Sequence, residues 1–167
     1  MMKKQKGFSL IELLIVVAII LIIAAIAIPN LLRSKMAANE SSAVGSLRTI
    51  NTAQVTYSST YGVGYGTLGN LSTPAAGCAA ATQAVACLID SNLGGGTKSG
   101  YTFVSLAAGG AGTTASPNTN FNTSAVPVAI GQSGQNSFCS DESGVIRRDT
   151  SGAVDAACET SGLPPLQ

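Results

Sequence analysis

Histidine and tryptophan are absent from this sequence, and charge is scarce, with Asp, Glu, Lys and Arg making up 10% of 167 residues. An average soluble domain carries about 25%. Without histidine, neither a Ser-His nor a Cys-His nucleophile pair can be built. The four cysteines, Cys78, Cys87, Cys139 and Cys158, show no C-x-x-C spacing, so with no histidine to help them they make a poor zinc site. They read better as two disulfides in an oxidising compartment. Three connectivities are open, and the local closures Cys78–Cys87 and Cys139–Cys158 are favoured. A basic stripe is also missing. Apart from Lys3, Lys4 and Lys6, six basic residues face eight acidic ones, so nucleic acid is not an expected partner. Asp141 with Glu142, or Asp149 with Asp155, could be offered as acid and base, but they read as solvated turn residues. No enzyme and no cofactor is expected.

What the chain does have is concentrated at its start. Lys3-Lys4-Gln5-Lys6-Gly7-Phe8-Ser9-Leu10-Ile11-Glu12 runs directly into the apolar block Leu13 to Ile28. Fifteen residues from Phe8 to Ile28 are Leu, Ile, Val or Phe, and Glu12 is the one charge among them. Those fifteen favour insertion into a bilayer by roughly 5 to 9 kcal/mol, whereas an acidic residue at a helix centre costs about 2.5 to 3.5 and less near the interface. A helix of this length rises roughly 30 Å, the thickness of the hydrocarbon core. The three preceding lysines put the N-terminus in the cytoplasm. Two plain readings compete. One is a secretory signal cut after Ala27, at Ala25-Ile26-Ala27, but the apolar run exceeds the usual ~7 to 15 residues. The other is an ordinary anchor, in which Glu12 is an accident.

Taken together, Lys6-Gly7-Phe8-Ser9-Leu10-Ile11-Glu12-Leu13 and the helix behind it resemble the type III signal of type IV prepilins and type II secretion pseudopilins. The resemblance implies cleavage after Gly7 by a prepilin peptidase and N-methylation of Phe8. It also implies an assembly role for Glu12, five residues into the mature chain, where its carboxylate pairs with the Phe8 amine of a neighbouring subunit. An unpaired charge of either sign is strongly unfavourable in a low-dielectric filament core, so the pair specifies axial register.

Pro29 follows the apolar block, where it bends or loosens a helix; a proline at this place is common in pilin-like proteins. Beyond it, Ala43, Leu47, Ile50, Ala53 and Tyr57 recur at spacings of three and four, one face of an amphipathic helix ending near Ser58 to Thr60. Arg33, Lys35, Asn39, Glu40, Arg48 and Asn51 fall largely off that face. Gly64-Tyr65-Gly66-Thr67-Leu68-Gly69 matches G-x-G-x-x-G in form only, because it follows a helix and precedes no βα unit. Residues 67 to 97 read as a loop with a short helix at Ala80 to Ser91, closed by Cys78–Cys87. Strand patterns then appear at Tyr101 to Leu106 and at Val126 to Ile130, with a flexible segment from Ala107 to Asn122 between them. A hairpin joins Ser137–Ser140 to Gly144–Arg148 across Asp141-Glu142-Ser143-Gly144.

The expected fold is α+β: a long N-terminal helix packed on a small antiparallel sheet of three to four strands, as in pilins. The divisions are a leader at 1–7, a transmembrane and filament-core helix at 8–28, and an amphipathic half at 29–60. An αβ-loop at 61–100 and the sheet with its C-terminal loop at 101–167 complete the chain. The resemblance implies a structural subunit that polymerises with itself into a type IV pilus. Its partners are then a prepilin peptidase and an inner-membrane assembly platform with its ATPase. The protein would start in the bacterial inner membrane, with its C-terminal domain in the periplasm, and finish in a cell-surface pilus. A type II secretion pseudopilin is the alternative, and calcium at Asp149, Asp155 and Glu159 would accompany that reading. A monomeric membrane-anchored binding module is the alternative of another class.

Overall fold

A computed structural model describes residues 8–152 and 163–166. The chain divides into two units, residues 1–35 and 36–167. In the first, every described residue except the half-buried Ala24 is exposed, and the residues from Leu10 onward are helical. They belong to α1 (Leu10–Tyr61), which contains Pro29 and continues on both sides of it.

The second unit is a two-layer α+β fold. Its part of α1 buries Ala43, Leu47, Ile50, Ala53 and Tyr57, the stripe read from the sequence. The helix ends at Tyr61, where the Gly62 N–H donates to the Ser58 carbonyl at 3.0 Å. Five strands form one antiparallel sheet in sequence order: β1 (Thr97–Lys98), β2 (Tyr101–Ala108), β3 (Asn120–Pro127), β4 (Ser137–Asp141) and β5 (Arg147–Asp149). Tyr101, Phe103, Ala125 and Phe138 from the sheet join the helix stripe in a single hydrophobic core with Leu71, Ile89, Leu93 and Ile146.

The sheet departs from the expectation in two places. It has five strands rather than three or four, because β1 is a two-residue edge too short to leave a pattern. The second expected strand, Val126 to Ile130, is displaced: β3 begins at Asn120, inside the expected flexible segment, and ends at Pro127. Its buried positions are Phe121, Thr123, Ala125 and Pro127, a set with one large apolar side chain, which is too little to show as alternation. Pairing with β2 fixes the register through Phe103↔Ala125, Ser105↔Thr123 and Ala107↔Phe121. Pro127 lies past the last β3–β4 pair, Ala125↔Phe138, and the next N–H, that of Val128, turns to the Gly100 carbonyl on the β2 side. The missing proline N–H therefore removes no ladder bond.

The helix expected at Ala80 to Ser91 does not form. Two single-turn helices flank that stretch instead, α2 (Leu68–Leu71), capped by Thr67, and α3 (Ser91–Gly94), capped by Asp90. Between them the chain is irregular and tied by the Cys78–Cys87 disulfide. Cys87 sits in the left-handed region at φ 56°, a conformation that a continuing helix excludes.

Candidate assembly surface

The candidate site is the helix surface from Phe8 onward. Glu12 lies in the first turn of α1, where the helix dipole favours an acid. Its carboxylate accepts the Ser9 N–H at 2.9 Å, satisfying a backbone donor that the helix start leaves without a partner. Behind it the large apolar side chains stand in the open: Phe8 is 79% exposed, Leu21 64% and Ile26 71%. An 18-residue window of this segment has a mean hydropathy of 3.3 with none of it buried. A surface this apolar and this continuous needs a bilayer or other protein against it.

Of the other anticipated positions, Gly7, Cys158, Asp155 and Glu159 lie outside the described residues, so Cys139–Cys158 is described only at Cys139. That cysteine is 1% exposed in β4. Cys78 and Cys87 form the first expected bridge. Asp149, the described member of the calcium trio and the last residue of β5, accepts the Ser151 N–H at 2.8 Å and its hydroxyl at 2.7 Å, which ties the strand end to the turn that follows. Asp141 departs from the solvated reading, being 2% exposed. Its carboxylate accepts the Ser143 N–H at 3.0 Å and the Ser143 hydroxyl, which organises the β4–β5 turn.

The first two glycines of the G-x-G-x-x-G segment serve close backbone approaches. A Cβ on Gly64 would stand 1.9 Å from the Asn118 carbonyl oxygen. Gly66 exchanges two bonds with Gln54, donating its N–H to Oε1 at 2.9 Å and accepting Nε2 at 2.6 Å.

Three side chains of α1 do work that their sequence positions do not announce. Gln54 is fully buried; besides holding Gly66, it donates to the Ser105 hydroxyl at 3.0 Å, which in turn meets Thr123 at 2.9 Å. Glu40 accepts the Gln135 and Asn136 N–H groups at 2.8 and 3.0 Å and the Asn136 amide at 2.9 Å. Asn39 donates to the Ser133 carbonyl at 2.7 Å. Together Asn39 and Glu40 fasten the β3–β4 connection to the helix. Tyr101 completes this corner by donating to the Asn136 carbonyl at 2.7 Å. Burial, with the Glu40 carboxylate nearby, pushes the Tyr101 phenol above its ordinary range. Glu40 was legible only as a polar residue off the apolar stripe, because its partners lie some 95 residues away.

Comparison with a family model finds a match at the same end of the chain. Residues 2–28 match the family described as the prokaryotic N-terminal methylation motif. The chain is 62% identical over 39 residues to the type IV wide pilus major component of Thermus thermophilus, covering 23% of this chain and 30% of that protein. It is 48% identical over 54 residues to the type IV major pilin protein of Myxococcus xanthus, covering 32% of this chain and 24% of that protein. The chain thus matches about a third or less of the length of these relatives. No solved structure matches it. The prepilin resemblance read from Lys6 to Leu13 is borne out by these matches, and both relatives carry the names of filament components.

Proposed function

We propose that this chain, whose first residues carry the prokaryotic N-terminal methylation motif, is a structural subunit of a type IV pilus. It enters the inner membrane as a prepilin with residues 1–7 as leader. A prepilin peptidase cuts after Gly7 and methylates Phe8, and an assembly platform with its ATPase draws the subunit out of the bilayer into a helical homopolymer. The observation that carries the reading is the conjunction of that motif with an 18-residue apolar stretch of α1, none of which is covered by the chain itself. A lone anchor explains the helix but not the motif. In the polymer, neighbouring helices replace lipid around Leu10 to Ile28, and the small α+β domain supplies the filament exterior.

Glu12 has a definite task in this scheme. The cut frees an ammonium on Phe8, and neither that cation nor the Glu12 carboxylate is tolerated alone among packed apolar helices. Pairing them between subunits selects one axial offset. Mass and N-terminal analysis of the mature protein tests the processing. A chain starting at methylated Phe8 supports it, while one starting at Ile28 indicates an ordinary signal peptide. Deleting the gene then separates the pilus from the secretion pseudopilus, by loss of surface filaments in one case and of exoprotein secretion in the other.

A further inference from the structure

The apolar surface of the first unit does not stop at Ile28. Leu31 and Leu32, 72% and 40% exposed, prolong it on the far side of Pro29, within the same helix. The next residues of note are Arg33 and Lys35, both exposed, and neither forms an ion pair among the described residues. Going back from Arg33, the first charge met is Glu12. From Leu13 to Leu32 the helix rises about 30 Å at roughly 1.5 Å per residue, the thickness of a hydrocarbon core. The helix from Leu10 to Leu32 rises about 34 Å on the same scale, which leaves slack for the helix to slide.

Resting on the reading of the chain as a membrane-inserted subunit, we infer that its depth before assembly is set by a bracket of charges. The bilayer-embedded segment is Leu13–Leu32, with Glu12 at the cytoplasmic interface and Arg33 and Lys35 against the phosphates of anionic phospholipid headgroups on the opposite face. This shifts the span outward from the expected 8–28. Arg33 and Lys35 are two residues apart and so project to opposite sides of the helix. That arrangement suits a helix crossing a headgroup layer, which surrounds it, and does not suit one flat partner. The chemistry is complementary, since both cations lie just beyond the last apolar side chain, where a guanidinium and an ammonium meet phosphate. A subunit that enters a filament must then release these headgroups as its helix leaves the lipid.

The absence of tryptophan makes the depth measurable. The full chain, carrying a single Leu31→Trp or Leu21→Trp reporter, is placed in vesicles of phosphatidylcholine with phosphatidylglycerol containing bromines at shallow or deep acyl positions. Both reporters should be blue-shifted and quenched, Leu21→Trp by the deep bromines and Leu31→Trp by the shallow ones. Adding Arg33→Gln and Lys35→Gln should let Leu31→Trp sink, raising its deep-to-shallow quenching ratio on the order of two-fold in the anionic vesicles. In phosphatidylcholine alone the same pair should change the ratio much less. Water-like emission from Leu31→Trp with a quenched Leu21→Trp overturns the bracket and leaves the pilus reading standing. An unquenched Leu21→Trp overturns both. An unchanged ratio in the charge variant removes the headgroup contact.

Discussion

At the scale of single residues, Glu12 and Tyr101 show how one group acquires its role from its surroundings. Glu12 caps its own helix through Ser9, so Glu12→Ala should weaken the first turn by about 0.5 to 1 kcal/mol, too little to disturb processing. Under the proposed pairing its effect on assembly should be far larger, because the neighbour's ammonium would lose its counter-charge. Sheared filament should fall at least about ten-fold while the mature mass stays that of the cut chain; normal filament yield would remove the register argument. Tyr101 is buried with its hydroxyl on Asn136. Its raised pKa means that the neutral phenol is favoured in the fold. The associated stability is complete below the ordinary tyrosine value near ~10 and is lost as pH rises above it, at up to about 1.4 kcal/mol per pH unit. Alkaline denaturation should therefore be shallower in Tyr101→Phe. Gly134 supports the same corner: a Cβ there would lie 2.0 Å from the Tyr101 hydroxyl oxygen. Gly134→Ala should cost about 1 to 3 kcal/mol in thermal unfolding of the detergent-solubilised chain.

At the scale of elements, the second half of α1 is held by apolar burial on one line and by hydrogen bonds beside it. Leu47 and Ile50 are fully buried, and Ile50→Ala should destabilise the domain by about 2 to 5 kcal/mol. Gln54→Ala should have a comparable effect by another route, leaving the Gly66 N–H and carbonyl unpaired in the interior at about 1 to 3 kcal/mol each. The loop between α2 and α3 is fastened at more points than its disulfide. Tyr57 donates to the Gln83 carbonyl at 2.7 Å, and Ala86 donates from its N–H to the Asn70 carbonyl at 2.7 Å. Replacing Cys78 and Cys87 by serine should lower the unfolding free energy by about 2 to 3 kcal/mol. Far-UV circular dichroism should show the sheet retained.

At the scale of the whole molecule, the two units differ in what they need. Residues 36–167 enclose a core of their own, whereas the described helix residues before Met36 bury almost none of their side chains within the chain. The protein is therefore expected to require detergent or lipid until it meets copies of itself. A version starting after Lys35 should be soluble and monomeric, with unfolding close to that of the domain in the full chain, and should form no filaments. Light scattering together with thermal unfolding checks this. Aggregation of the truncated domain would locate a second self-associating surface on it.

The sequence by itself determined the parts that depend on neighbours along the chain. The N-terminal methylation motif, the isolated acid at Glu12, the length of the apolar run and the stripe Ala43 to Tyr57 are local patterns with periods or spacings that physics reads directly. The Cys78–Cys87 closure is favoured among three open connectivities because its ends lie 9 residues apart, and the structure forms it. Tertiary structure decided what rests on distant partners. Strand β3 exists because β2 and β4 impose a register on a stretch in which Asn, Thr, Ser and Ala outnumber the larger apolar residues Phe121 and Val126. Glu40 became a clamp and Gln54 a buried bridge because donors and acceptors from elsewhere in the chain came within hydrogen-bond reach. Burial removes the water that would otherwise satisfy such groups, so their partners are fixed by packing in three dimensions and leave no period in the sequence.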